Sequence, residues 1–209
     1  MLVSTVSVAN LLKKGGDMTS EDILKTYWQK EGNVYSLFPR ESFKVVEWAD
    51  LATTPYAVMS YQWQSKWRSI AEFILHSESR VLQKYMWIDV LCLDQMSADK
   101  MTTIKRSDDI YYYAKEYHLM EIGSLKRGWV LFELSSVKKT MLPPSIHLTT
   151  QDPVTISLMK SFLRTSGFQG CDFTEKSDRE VVKKKIIQRY GSVPEFDNAI
   201  IDIVDQIFI

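Results

Sequence analysis

The sequence has no excess of charge of either sign, because its 26 Lys and Arg residues balance 26 Asp and Glu residues. Without a long-range positive field, a protein is a poor candidate for binding nucleic acid or an anionic membrane surface. The chain also has only two cysteines, too few for a disulfide framework, and it shows no secretory signal. We therefore expect a cytoplasmic protein in a reducing compartment, with neither nucleic acid nor membrane among its partners.

The common sequence signatures of cofactor and metal sites are also missing. Neither the GxxxxGK[ST] nor the GxGxxG pattern occurs, which excludes the two familiar glycine-rich phosphate sites. The three histidines, at 76, 118 and 147, are not spaced as metal ligands. We therefore expect no metal and no cofactor. A Ser–His–acid triad stays open, although no serine lies in a nucleophile-elbow sequence.

Aromatic residues are abundant at 12%, whereas glycine and proline are scarce, which is typical of a compact, well-packed domain. Short apolar runs of strand length alternate with segments of helical periodicity. The pattern predicts strands at 56–61, 85–91, 117–122 and 145–149, and helices at 66–77, 104–114, 125–139 and 152–163. Such alternation is typical of βαβ units, so we expect an α/β fold with a parallel sheet and flanking helices.

The predicted α/β core spans residues 55–175 and carries an extension at each end. The N-terminal extension, 1–54, has a helix that starts near Thr19 and a strand over 43–48. The C-terminal extension, 176–209, has capping-box patterns at Ser177 and Ser192 and is predicted to be helical. The uncharged stretch 1–12 is too short to span a bilayer. We interpret it as a flexible or docking N-terminus, with an amphipathic membrane anchor as the alternative.

Three segments of the core combine aromatic and acidic residues. They read YAVMSYQW from Tyr56, WIDVLCLDQ from Trp87 and RGWVLFE from Arg127. Each lies where a predicted strand ends or a helix begins. Because ligands of open α/β sheets bind beyond the carboxyl ends of the strands, these segments are the best candidates for a site.

Two carboxylates in these segments have unusual surroundings. Asp89 interrupts an apolar run, so it needs hydrogen-bond partners or belongs to a site. Apolar neighbours of Glu133 favour a raised pKa and a role as base or charge stabiliser, and Trp129 shares its helix face. Structural interpretations stay open: Asp89 as a cap of a neighbouring loop, Glu133 as a surface partner of Arg127 or Lys126, and the tryptophans as core residues.

In their order and spacing, the three segments resemble the signature strings of the fungal heterokaryon-incompatibility (HET) domain, roughly YxALSYxWG, WIDALCINQ and RxWxxxE. Gln64 stands where the first string usually has Gly, and Asp94 where the second usually has Asn. The resemblance covers about residues 55–140. HET domains are similar to the Toll/interleukin-receptor (TIR) fold, so the resemblance implies a flavodoxin-like parallel sheet.

In the catalytic branch of the TIR superfamily, a glutamate in a WxxxE motif supports cleavage of NAD at the nicotinamide–ribose bond. The resemblance therefore implies an NAD glycohydrolase in immune or cell-death signalling, with Glu133 as the catalytic residue and NAD as substrate. It also implies a set of substrate-binding residues: Ser60, Tyr61, Trp63, Asp89, Asp94, Arg127 and Trp129.

Two departures from the TIR pattern count against the catalytic role, and one of them, the missing loop, favours an adaptor together with the apolar tail at Phe208. Val130 stands where catalytic TIR domains commonly have Cys, and 95–100 lacks the Pro-Gly loop that TIR domains place after the second strand. The main alternative is a non-catalytic homotypic signalling adaptor of the same fold, for which self-association or other signalling domains are the expected partners. A weaker alternative is an enzyme similar to nucleoside deoxyribosyltransferases.

Overall fold

The computed structural model describes residues 1–10, 16–76, 83–98, 100–137, 146–148 and 152–208. These residues form a mixed α/β fold with an open, mostly parallel sheet and helices packed against it. The predicted helix ends at 77 and 139, and the predicted strand ends at 145 and 149, lie outside the described residues.

The described strands form one six-stranded sheet in the order β2-β1-β4-β3-β5-β6. Pairing is parallel from β4 through β3 and β5 to β6, and antiparallel where β1 meets β2 and β4. Every residue of β3 and β5 is buried, as expected for central parallel strands covered on both faces. The strands are β1 (Leu2–Ser4), β2 (Phe43–Lys44), β3 (Ala57–Ser60), β4 (Tyr85–Trp87), β5 (Glu116–Leu119) and β6 (Ile146–Leu148).

Of the two predicted alternatives for the beginning of the chain, a flexible or a docking N-terminus, the structure shows docking at Leu2–Ser4. Strand β1 lies inside the sheet between β2 and β4, with Val3 opposite Met86 and fully buried. The N-terminal extension therefore supplies two strands to the same sheet as the core. A strand of three residues is too short for a period-two pattern, so the sequence carried no signal for it.

Helices cover the sheet and complete the fold. A π-helical segment, Leu24–Trp28, connects α2 to α3. Within the described residues, no helix is both long enough and apolar enough to cross a membrane. The helices are α1 (Thr5–Ala9), α2 (Ser20–Ile23), α3 (Gln29–Glu31), α4 (Trp67–His76), α5 (Asp89–Cys92), α6 (Lys100–Lys105), α7 (Ser107–Tyr113), α8 (Gly128–Ser136), α9 (Pro153–Thr165), α10 (Lys176–Tyr190) and α11 (Val193–Ile207).

Some helix starts match the prediction and others differ. Side chains of Asp152 and Ser192 cap α9 and α11 as predicted. Helix α10, in contrast, begins at Lys176 and has no side-chain cap, so the capping box predicted at Ser177 is wrong. Helix α8 begins only at Gly128, because 126–128 first pairs through its backbone with Asp172.

Strand β4, next to the second candidate segment, is shorter than predicted. Strand β4 ends at Trp87, and Asp89 starts the short helix α5 instead of lying inside a strand. The carboxylate of Asp89 accepts a hydrogen bond from the backbone N–H of Val90 at 2.7 Å, which satisfies one of the free donors in the first turn of this helix. Asp89 therefore lies just beyond the carboxyl end of β4.

The C-terminal helices pack directly on α7 and α8. Asp108 of α7 accepts from Lys185 of α10 at 2.9 Å and is also paired with Arg189. Arg189 in turn donates to the Ser136 hydroxyl of α8 at 2.7 Å. The C-terminal extension is thereby bonded to the helix that carries Glu133.

Candidate functional site

Polar side chains from three elements meet at the carboxyl ends of β3 and β4. Ser60 is the last residue of β3, Asp89 follows β4, and Glu133 lies in the middle of α8. The hydroxyl of Ser60 donates a hydrogen bond to the carboxyl group of Glu133. The negative charge of Asp89 acts on the same carboxyl group. The structure thus brings together three of the predicted site residues.

The environment of Glu133 changes its protonation. Burial raises the pKa of Glu133 from 4.5 to about 8, and the charge of Asp89 adds to this rise. Hydrogen bonds from Ser60 and Tyr111 and the charge of Arg127 act in the opposite direction without cancelling it. The residue keeps some solvent exposure. At neutral pH Glu133 is therefore mostly a neutral acid, and it becomes a carboxylate near pH 8.

The carboxylate of Asp89 is held by donors from several sides. The hydroxyl of Tyr61 donates to Oδ1 at 2.8 Å, and the indole N–H of Trp63 donates to Oδ2 at 2.7 Å. With the Val90 amide on Oδ1, these bonds define both the position and the orientation of the group. Tyr61 is buried, whereas Trp63 and Asp89 keep partial exposure.

Two tyrosines that the sequence did not single out complete the site. Tyr111 of α7 and Tyr117 of β5 are fully buried, with ring centroids 6.1 Å apart in an edge-to-face arrangement. Burial, reinforced by the charge of Glu133, raises the pKa of both hydroxyls well above 10, so they stay protonated. Tyr117 lies beside Ser60, but its hydroxyl makes no well-aligned hydrogen bond within the described residues. A run of three tyrosines at 111–113 was the only available signal for Tyr111.

Two other predicted site residues have partners of their own. The exposed carboxylate of Asp94 accepts the backbone N–H groups of Met96 and Ser97 at 2.9 and 3.0 Å, so it stabilises its own turn. The indole N–H of Trp129 donates to Asp178 of α10 at 3.0 Å, whereas Glu133 on the same helix is bonded to Ser60. For Asp94 and Trp129, substrate binding stays a prediction that these contacts do not favour.

Arg127 has an intermediate position. Its guanidinium donates to the hydroxyl of Thr174, and it is partly exposed. Its charge nevertheless lowers the pKa of Glu133 against the effect of burial, so the two groups are near each other. Arg127 places a positive charge at the start of α8.

A groove with a volume of about 850 Å³ lies elsewhere, between α9 and the end of α11. It is lined by apolar residues such as Ile156 and Phe208, and by Lys160 and Arg164, which both pair with Asp205. It contains none of the residues of the three candidate segments. We place the candidate site at the strand ends because the titratable and hydroxyl groups converge there.

Within the described residues, no three His, Cys, Asp or Glu side chains gather as a metal site. The groups at the strand ends are carboxyls and hydroxyls, which are able to donate and accept hydrogen bonds. Comparison of the chain with protein-family models, with curated proteins and with solved structures gave no match.

Proposed function

We propose that this chain is a TIR/HET-like NAD glycohydrolase of the cytoplasm that acts in immune or cell-death signalling. The observation that carries the proposal is the contact between Glu133 and Ser60 beside Asp89, at the carboxyl ends of two parallel strands. Ligands of open α/β sheets bind at this edge. The parallel order β4-β3-β5-β6 is compatible with the flavodoxin-like sheet that the resemblance implies.

The reaction breaks the bond between C1′ of the ribose and the nicotinamide nitrogen. The bonding electron pair leaves with nicotinamide, which becomes neutral, and positive charge develops on the ribose as an oxocarbenium ion. Water then attacks C1′ and releases a proton, or a nucleophile of the same molecule closes a ring. A carboxylate next to the ribose stabilises this transition state, which is the role we assign to ionised Glu133. Since nicotinamide needs no proton to leave, one such group suffices.

The neighbouring residues have separate roles in this proposal. Ser60 orients the Glu133 carboxyl group through its hydrogen bond, and Asp89 contributes a second negative charge. Trp63, partly exposed beside Asp89, offers an aromatic face to a flat base. Arg127 is positioned to meet a phosphate of NAD near the start of α8.

The direct test is nicotinamide release from NAD by the purified protein, followed by chromatography. Glu133→Gln is expected to reduce kcat by about 100-fold or more, as does the loss of a group that stabilises transition-state charge. Glu180→Gln, an exposed glutamate of α10, is the matched control and should retain the wild-type rate. Wild-type turnover that persists in Glu133→Gln would refute the role of Glu133, and a wild-type protein that releases no nicotinamide would refute the proposed activity.

A homotypic adaptor is the second candidate, and one surface feature favours it. Val154 and Leu158 lie one turn apart on α9 and are 66% and 68% exposed. Exposed apolar side chains next to each other are typical of contact surfaces. Light scattering of the wild type and of Leu158→Asp tests this function. Self-association that Leu158→Asp abolishes would support an adaptor, and a monomeric wild type that cleaves NAD would rule out the adaptor function. Including nucleosides in the same assays tests the deoxyribosyltransferase-like alternative.

A further inference from the structure

The carboxylate of Asp89 lies at the end of a hydrogen-bond chain that starts outside the predicted core. The hydroxyl of Ser20, at the first turn of α2, lies 2.7 Å from the hydroxyl of Tyr61. Tyr61 lies in turn 2.8 Å from Asp89. An ionised carboxylate only accepts hydrogen bonds, so Tyr61 donates to Asp89 and must accept from Ser20. The chain therefore has one direction, from Ser20 through Tyr61 to Asp89.

Ser20 also contacts the second donor to Asp89. Its backbone N–H donates to the carbonyl oxygen of Trp63 at 3.1 Å. The indole of Trp63 donates to Oδ2 of Asp89. Ser20 thus contacts both residues that orient the carboxylate: its hydroxyl meets the side chain of Tyr61, and its backbone N–H meets the backbone of Trp63. Ser20 is fully buried, so both contacts are shielded from competing water.

A third contact holds the backbone next to Asp89. The indole N–H of Trp28 donates to the carbonyl oxygen of Val90 at 2.7 Å, while the Val90 amide donates to Asp89. Helix α5 has only four residues, so its carbonyl groups need partners from outside the helix. The π-helical segment has i to i+5 bonding, which allows Ile23 and Trp28 to be buried together.

We propose that Ser20 is a positioning residue of the site, and that residues 16–31 are part of the functional unit. Ser20 acts through Tyr61 and Trp63 to keep the Asp89 carboxylate in the orientation in which it meets the ribose. The inference rests on the proposed function, in which Asp89 faces the substrate. It changes the role of Tyr61 from substrate binding to positioning, because its hydroxyl is engaged with Ser20 on one side and Asp89 on the other.

The test compares Ser20→Ala, Tyr61→Phe and the double variant. The first readout is the NMR signal of the Trp63 indole N–H in 15N-labelled protein, since a hydrogen bond to a carboxylate moves this proton downfield. We expect Ser20→Ala and Tyr61→Phe to move the Trp63 signal and to leave that of Trp48 in place. The second readout is the KM for NAD, which should rise about fivefold in Ser20→Ala, the effect of one net hydrogen bond, with kcat nearly unchanged.

The double variant separates positioning from general destabilisation. If Ser20 acts through Tyr61, the double variant should have the same Trp63 signal and KM as Tyr61→Phe, because Tyr61→Phe already breaks the hydrogen-bond connection between Ser20 and Asp89. Ser42→Ala is the control: Ser42 is buried and bonded to Ser7 at 2.9 Å, next to the edge strand β2, and its loss should leave the Trp63 signal unchanged.

Two results would overturn the inference. The first is a Trp63 signal and a KM in Ser20→Ala that equal those of Ser42→Ala. The second is a double variant in which the effects of Ser20→Ala and Tyr61→Phe simply add. If Ser20→Ala does not fold, the test relies on Tyr61→Phe. A Trp63 signal that is unchanged in Tyr61→Phe would also contradict the proposed hydrogen-bond chain. Because the NMR signal needs no turnover, a protein that fails to cleave NAD refutes the proposed activity without deciding the link between Ser20 and Asp89.

Discussion

Replacing Glu133 by glutamine is expected to stabilise the folded chain at alkaline pH and to change little in acid. Burial raises the pKa of Glu133 from 4.5 to about 8, so the folded chain binds more protons than the unfolded chain between these values. The contribution of protonated Glu133 to stability is therefore complete below pH 4.5. It is lost as the pH rises through about 8, when the buried group must ionise.

The structure limits the size of this effect. The difference between the pKa of Glu133 in the folded and the unfolded chain corresponds to at most about 5 kcal/mol of folding stability, at about 1.4 kcal/mol for each pKa unit. Glu133 keeps some solvent exposure, and water screens the cost of its charge. We therefore expect Glu133→Gln to be about 1–3 kcal/mol more stable than the wild type at pH 9. At pH 5 the two should agree within about 1 kcal/mol, because glutamine resembles the neutral acid and still accepts from Ser60.

Urea unfolding at one-unit intervals from pH 5 to pH 9, followed by tryptophan fluorescence, measures the difference directly. Glu180→Gln is again the control, since this glutamate is exposed on α10, and its difference from the wild type should not change with pH. A difference between Glu133→Gln and the wild type that stays constant from pH 5 to pH 9 would show that Glu133 does not titrate abnormally. The reasoning about the site would then be wrong.

Three further predictions concern activity and stability. If ionised Glu133 acts in NAD cleavage, kcat/KM rises with pH and levels off above about 8, and an activity that falls over this range contradicts the assignment. Asp108→Asn should cost about 1–2 kcal/mol at pH 7 in urea unfolding. Burial acts to raise the pKa of Asp108, but Lys185 and Arg189 together outweigh it and lower this pKa, so the stabilisation holds above pH 3.8 and disappears as the pH falls below that value. Gly128→Ala should lower stability by about 1–3 kcal/mol and reduce Tm, because the new Cβ would lie 1.9 Å from the ring of Phe173; an unchanged Tm would show that the ring moves aside freely.

Several local features were predictable because their partners are near in sequence. The caps of α9 and α11 form between residues two or three positions apart, so Asp152 and Ser192 marked these helices correctly. The buried strands β3 and β5 were visible as apolar runs of strand length. The rule that ligands bind at strand ends pointed to Ser60 and Asp89, and the resemblance to the HET and TIR domains added Glu133 to the same candidate site.

Features that depend on distant partners were not predictable. The pairing of Val3 with Met86, which places β1 in the sheet, has no local signature. Trp129 and Glu133 stand one helical turn apart, yet their partners are Asp178 and Ser60, from different parts of the chain. Spacing along a helix indicates which residues share a face, but it does not say what the face meets.

The sequence by itself thus determined the α/β class, the central strands and the carboxylates that belong at the strand ends, because hydrophobic periodicity and capping act over a few residues. Only the tertiary structure decided what surrounds those carboxylates. These surroundings come from segments far apart in the chain: Tyr117 lies beside Ser60, Ser20 lies 2.7 Å from Tyr61, and burial moves the pKa of Glu133 to about 8. Burial and charge are properties of the packed surroundings, and they appear only once those segments meet.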